Sequence, residues 1–185
     1  MNPPALPRGL PDQRFICLFP GATIIERHWP ERRWARVAKI LADRGWTGIL
    51  LGADKEIQQC RAIEAGAGPD RVINLCGRLT IGQTAELLKK AALLISTDSG
   101  LLHLGVISNA PTLSLFGSGI ADKWAPQGDR HRQINLNLDC SPCTRFGSTP
   151  PCPRQAACME GITVEQVVHE AGQMLDHSQA PIEPV

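Results

Sequence analysis

What this 185-residue chain lacks narrows its reading first. It has no excess of charge: 19 Lys and Arg stand against 18 Asp and Glu, a net of +1. A general nucleic-acid or membrane-surface binder needs a strong basic excess, so neither is expected. No apolar stretch approaches the roughly 20 residues that span a bilayer, so no transmembrane segment is expected. Met1-Asn2-Pro3-Pro4 has neither the basic start nor the apolar core of a signal peptide, which points to a cytoplasmic protein. No internal repeat is evident.

What is present suits a single domain with one sizeable core: 43% of residues are hydrophobic and 20% charged. Residues 1–13 hold four prolines and residues 178–185 two more, so both ends are expected to be irregular, the first a linker and the second a tail. Between them, apolar runs alternate with helical periods. Strands are expected at Phe15–Phe19, Thr47–Leu51, Arg71–Leu75, Ala91–Ile95, Thr112–Phe116 and Gln133–Leu138. Pro30 opens a helix with Trp34, Val37, Ala38 and Leu41 on one face, and Gly45 closes it. Further helices carry Ile57, Cys60 and Ile63, then Leu87 and Leu88 behind the capping box Thr80-Ile81-Gly82-Gln83. Another runs from Leu101 to Ile107, and a closing one from Thr163 to His177. Strands separated by single helices make parallel βαβ units, hence an α/β fold with a doubly wound parallel sheet.

Ligands of such sheets bind outside the carboxyl ends of the strands, where loops 20–30, 52–56, 76–80 and 96–100 fall. Asp98-Ser99-Gly100 carries the strongest signal. A strand running straight into a helix leaves unpaired N–H groups at the positive end of the helix dipole, a site for a phosphate or diphosphate. The same residues also make an ordinary helix cap, with Gly100 read as the tight-turn residue. His103, one turn on, faces either the ligand or the core. In loop 20–30, Gly21 permits close backbone approach, Thr23 offers a hydroxyl, and Arg27 offers a charged fork for phosphate oxygens. The alternative there is a surface loop with a solvated Arg and a Trp anchor. Glu56 can accept ribose hydroxyls or complement its own helix start. Leu79 can support an adenine or fill the core.

Cys140, Cys143, Cys152 and Cys158 fall within 19 Pro-rich residues, in a Cys-rich loop spanning 139–159. The C-x2-C pair suits a zinc or iron–sulfur site, and two more thiolates complete a tetrahedral set, although the second spacing is looser than metal ribbons require. Free thiols are the alternative, since a reducing compartment disfavours disulfides. Cys17, Cys60 and Cys76 read as small core fillers.

Taken in order, these motifs resemble glycosyltransferase family 9, the ADP-heptose:lipopolysaccharide heptosyltransferases. The stretches that carry the resemblance are Pro20-Gly21-Ala22 with Arg27-His28-Trp29-Pro30, Gly52-Ala53 with Glu56, Asn74-Leu75-Cys76-Gly77, and Thr97-Asp98-Ser99-Gly100 with His103. Phe116-Gly117, the Cys140–Cys143 pair and Cys158-Met159 belong to it too. The resemblance implies that residues 14–177 form a Rossmann-like nucleotide-sugar-binding domain, the C-terminal, donor-binding half of a GT-B glycosyltransferase. An N-terminal acceptor-binding domain would carry the catalytic base. It further implies an inverting enzyme of lipopolysaccharide core or related glycan synthesis, with peripheral contact at the inner membrane. Thr23 and Arg27 would meet the diphosphate with the N–H groups after Asp98. Glu56 would bind the ribose, Leu79 would lie by the adenine, and His103 would be near the sugar-phosphate end. Arg27 stands where many members carry Lys, and Ala22 lacks a hydroxyl that some have. No paired carboxylates flank the phosphate loops, so no metal cofactor is required for transfer. The other readings are a stand-alone, non-catalytic nucleotide-binding module and a metal-organised interaction domain.

Overall fold

A computed structural model describes residues 4–11 and 14–177 of the chain. Its centre is dictated by three apolar runs that are buried along their whole length: β1 (Phe15–Phe19), β4 (Leu93–Thr97) and β5 (Thr112–Phe116). Strands buried on both faces read as continuous apolar runs, and successive side chains still alternate between the two faces. Ile16 and Leu18 accordingly join one core cluster, while Phe15, Cys17 and Phe19 join the other. Leu93 and Ile95 divide from Leu94 in the same way.

β2 (Thr47–Leu50), β3 (Val72–Asn74) and β6 (His131–Asn135) complete a six-stranded sheet in the order β3-β2-β1-β4-β5-β6, all parallel. The chain winds outward from β1 to β3, then crosses back to β4 and winds the other way. The switch point, where ligands of doubly wound sheets bind, therefore lies between β1 and β4.

Helices α1 (Glu31–Asp43), α2 (Ile57–Ala67) and α7 (Val164–His177) cover one face, and α3 (Ile81–Leu88) and α4 (Gly100–Ile107) the other. Short helices α5 (Ala121–Trp124) and α6 (Ala157–Glu160) were not anticipated, because four residues show no helical period. In α1 the residues Trp34, Val37, Ala38 and Leu41 are buried as their spacing requires. Pro30 sits one position earlier than expected, as the N-cap, and Gly45 closes the turn at φ +86°. The capping box of α3 is made: Gln83 N–H donates to Thr80 Oγ1 at 3.2 Å, and Thr80 N–H to Gln83 Oε1 at 3.0 Å. Thr163 and Gln166 cap α7 in the same way.

Two strands on one side of the sheet are shorter than the apolar runs suggest, β2 ending at Leu50 and β3 covering only residues 72–74. The last strand is displaced, occupying His131–Asn135 rather than Gln133–Leu138. Asn137 adopts φ +47° and donates its N–H to Asn135 Oδ1, which turns the chain out of the sheet before Leu138. Residues 4–11 have no helix or strand, yet they are docked. Leu6 and Leu10 pack on the second core cluster, and Gln83 Nε2 donates to the Ala5 carbonyl at 2.8 Å. The segment 178–185 lies outside the described residues. Among the described residues no helix is long and apolar enough to cross a membrane.

Candidate functional site

At the switch point the ends of β1 and β4 are tied together. Buried Thr97 donates its hydroxyl to the Gly21 carbonyl at 2.6 Å. The loop after β1 is held at its far end by Trp29, whose Nε1 donates to the Ile162 carbonyl at 3.0 Å and whose ring packs edge-on against Trp34. His28 Nε2 bonds the Ala22 carbonyl at 2.9 Å. A 3-10 turn, Ile25–Arg27, lies between these anchors and aims Arg27 back toward β4.

There Arg27 Nη1 lies 2.8 Å from Asp98 Oδ2. The two side chains are largely buried, at 18% and 7% exposure. Asp98 Oδ2 is thus held by the ion pair alone, with no hydrogen bond, while Arg27 Nε is buried without any partner. Burial pushes the Asp98 carboxyl above the ordinary carboxylate range, against the opposing pull of Arg27 and His103. Buried polar atoms lacking partners cost about 1–3 kcal/mol each.

Ser99 caps α4 by accepting the Leu102 N–H, and its hydroxyl lies 3.1 Å from that of Ser96. The tight-turn reading of Gly100 is corrected: its φ is not left-handed, and a Cβ there would meet nothing within 4 Å. Its glycine leaves room in front of the helix rather than shaping the backbone. The close packing is elsewhere, at Gly119, where a Cβ would overlap Asp98 Oδ2.

Thr23, Arg27, Asp98, Ser99, Gly100 and His103 line one cavity of about 630 Å³. Glu56 and Leu79 lie outside it, on the β2–β3 side. Glu56 is buried against Gly21, where a Cβ would fall 2.7 Å from its Cγ, and its Oε2 accepts the Ala53 N–H at 2.8 Å. It therefore caps its own turn, with Lys55 Nζ 3.4 Å from Oε1. Leu79 packs on the second core cluster and is partly exposed. The basic run beside Arg27 is absorbed structurally: Arg33 bonds the Glu160 and Ile162 carbonyls, and Arg32 and Arg36 face Glu160 and Glu165.

Other residues of this cavity escaped sequence reasoning, chief among them Lys123, Trp124, Thr144 and Phe146. They come from α5 and from the Cys-rich loop, neither of which has a period or a recognisable spacing that places it over the site. The lone Trp in a polar stretch was the available signal.

Cys140, Cys143, Cys152 and Cys158 line a second, apolar cavity of about 230 Å³, together with Ser118, whose buried hydroxyl lacks a partner. Burial, with the nearby Cys152 and Cys140, pushes the Cys143 thiol up. Among the described residues, however, no group of three or more His, Cys, Asp or Glu side chains is arranged to hold a metal ion. The thiols border a common space without converging on one point, and no metal is assigned to them. Cys17, Cys60 and Cys76 are buried fillers, as their positions in core elements implied.

Three similarities place this architecture among known proteins. Lipopolysaccharide heptosyltransferase 1 of Pseudomonas aeruginosa is 29% identical over 136 residues, covering 73% of this chain and 38% of that protein. The structure of E. coli ADP-heptose lps heptosyltransferase II superposes at a TM-score of 0.76 with 24% identity, over 91% of this chain and 48% of that one. The iron-containing heptosyltransferase TibC, in complex with ADP-D-beta-D-heptose, superposes at 0.71 with 20% identity, over 94% and 48%. This chain thus spans about half the length of those structures, or less in the case of the curated relative. Residues 6–152 match the sequence model of one family, and the chain belongs to it: glycosyltransferase family 9 (heptosyltransferase).

Proposed function

We propose that this chain is the donor-binding half of an inverting heptosyltransferase and holds an ADP-heptose-type nucleotide sugar across its carboxyl edge. The observation that carries the reading is the Arg27–Asp98 pair at the β1–β4 switch point. It leaves a guanidinium Nε without a partner beside the Ser99-capped start of α4. Sugar transfer from a nucleotide diphosphate builds negative charge on the departing diphosphate. A cation and N–H donors already in place stabilise that charge more in the transition state than in the ground state. Arg27, Thr23 and the N–H groups following Asp98 do this work, and His103 stands near the sugar-phosphate end. Their charge suffices for the leaving group, so the reading requires no metal, and the iron of TibC is not carried over.

In this reading the adenosine lies over β2 and β3, with the Glu56 carboxylate, already holding the Ala53 N–H, offered to a ribose hydroxyl and Leu79 by the base. The carboxylate in the cavity, Asp98, is engaged with Arg27. The general base and the acceptor site accordingly belong to an N-terminal acceptor-binding domain. Residues 14–177 are the folded unit of this proposal, acting in the cytoplasm on lipopolysaccharide core or a related glycan at the inner membrane.

Calorimetric titration with ADP and with ADP-heptose tests the reading: both bind, and transfer occurs only when the acceptor half is supplied. Failure of either ligand to bind at millimolar concentration overturns it.

A further inference from the structure

The carboxyl edge of the sheet has a direction. Glu56 and Leu79 follow β2 and β3 on one side, Arg27 and Asp98 follow β1 and β4 at the centre, and α5 follows β5 on the other side. If the nucleoside occupies the first side and the diphosphate the centre, whatever the diphosphate carries must extend over α5. That premise is the function proposed above. The residues found there are aromatic. Trp124 and Phe146 line the same cavity as Arg27 and Asp98.

Both are costly to leave where they are. Of the four tryptophans, Trp29, Trp34 and Trp46 are buried, while Trp124 is 47% exposed. Its position is nonetheless held firmly, because Ala121 and Ala125 on either side of it are buried with Leu102 and Phe116. His103 sets its ring at 67° to the indole, with centroids 6.1 Å apart, and Lys123 Nζ stands 4.9 Å from the indole centre. Phe146 is fully exposed at the tip of a two-residue turn closed by Arg145 and Ser148, each donating its N–H to the other's carbonyl. Phe146 and Gly147 both have left-handed φ, +51° and +79°. Asn-Gly suits such a turn, and a Phe in its first position pays in both backbone strain and exposed apolar area. Strained, exposed residues of this kind cluster at ligand clamps.

We propose that Trp124 and Phe146 form the subsite for the transferred sugar, receiving the C–H faces of a pyranose while Lys123 faces its hydroxyls. An aromatic ring offers a flat, partly negative face to which the weakly positive C–H groups of a sugar are drawn. The assignment makes these residues determinants of donor-sugar binding rather than of nucleotide binding.

The test is the difference between two ligands on one protein. Trp124→Ala and Phe146→Ala are each expected to weaken ADP-heptose binding by about tenfold, the scale of one well-packed aromatic contact, with ADP affinity unchanged. Phe146 is fully exposed, so its truncation removes no core packing, and thermal midpoints control for Trp124. In the unaltered chain, ADP-heptose should shield tryptophan emission from acrylamide while ADP does not. Equal losses for both ligands, no loss for either, or equal shielding by ADP alone would overturn the subsite. A chain that binds no ADP at all would instead overturn the nucleotide reading beneath it.

Discussion

The two arms of the carboxyl edge are built alike and finished differently. On the β2–β3 side, Glu56 is buried and its carboxylate already holds the Ala53 N–H, while Leu79 rests on the core. From the centre to the β5 side, Arg27 Nε is buried without a partner, Asp98 Oδ2 is held only by its ion pair with Arg27, and Trp124 and Phe146 face solvent. Evolution of a fold toward stability alone would finish both arms. In the proposed function, the unfinished arm is where ligand binding supplies the missing partner, and the finished arm is a preformed rest for the nucleoside.

The sharpest way to break this contrast is Gly119→Ala. Its Cβ would overlap Asp98 Oδ2, so the carboxylate must move and release Arg27. Expected losses are about 1–3 kcal/mol of stability from overpacking, together with ADP binding. Thermal melts and calorimetry read both, and a stable variant with unaltered ADP affinity would refute the tight packing.

Next in size is the pair Arg27→Ala and Glu56→Gln, one from each arm. Arg27→Ala should cost about 1.5–3 kcal/mol in ADP binding, the worth of charge-assisted hydrogen bonds. Glu56→Gln keeps an oxygen for the Ala53 N–H and should cost ADP less than about 1 kcal/mol, with stability almost unchanged. If the two lose equal affinity, the arms do not differ as described.

The smallest effect is a pH dependence. Asp98 carries a folded-state pKa raised by burial, so the fold retains its proton where the unfolded chain has lost it. Stability then falls as pH rises from the ordinary carboxylate range through the raised value. Asp98→Asn removes that term. The stability of the native chain relative to Asp98→Asn should therefore be greatest at low pH and decline across this window in denaturant titrations. A difference independent of pH would show that Asp98 titrates normally.

Much of this molecule was legible before any coordinates. The strands at 15–19 and 112–116, the α1 face and the capping box at Thr80 follow from periodicity and local hydrogen-bonding chemistry. These are short-range properties that a chain carries wherever it goes. That Thr23, Arg27, Asp98, Ser99, Gly100 and His103 share one cavity was legible for a related reason: strand ends and helix starts bring loop residues to one edge of a parallel sheet.

Tertiary packing decided the rest. That Arg27 faces Asp98, far along the chain, depends on the β1–β4 neighbourhood and on a turn anchored by Trp29 to Ile162. That Gly119 matters more than Gly100 depends on which side chain happens to fill the space. Four cysteines bordering a cavity without converging, and two aromatics left in water, are outcomes of long-range packing. Residue types state what chemistry a chain can perform. Only the fold decides which of those groups are satisfied by one another and which are left for a ligand.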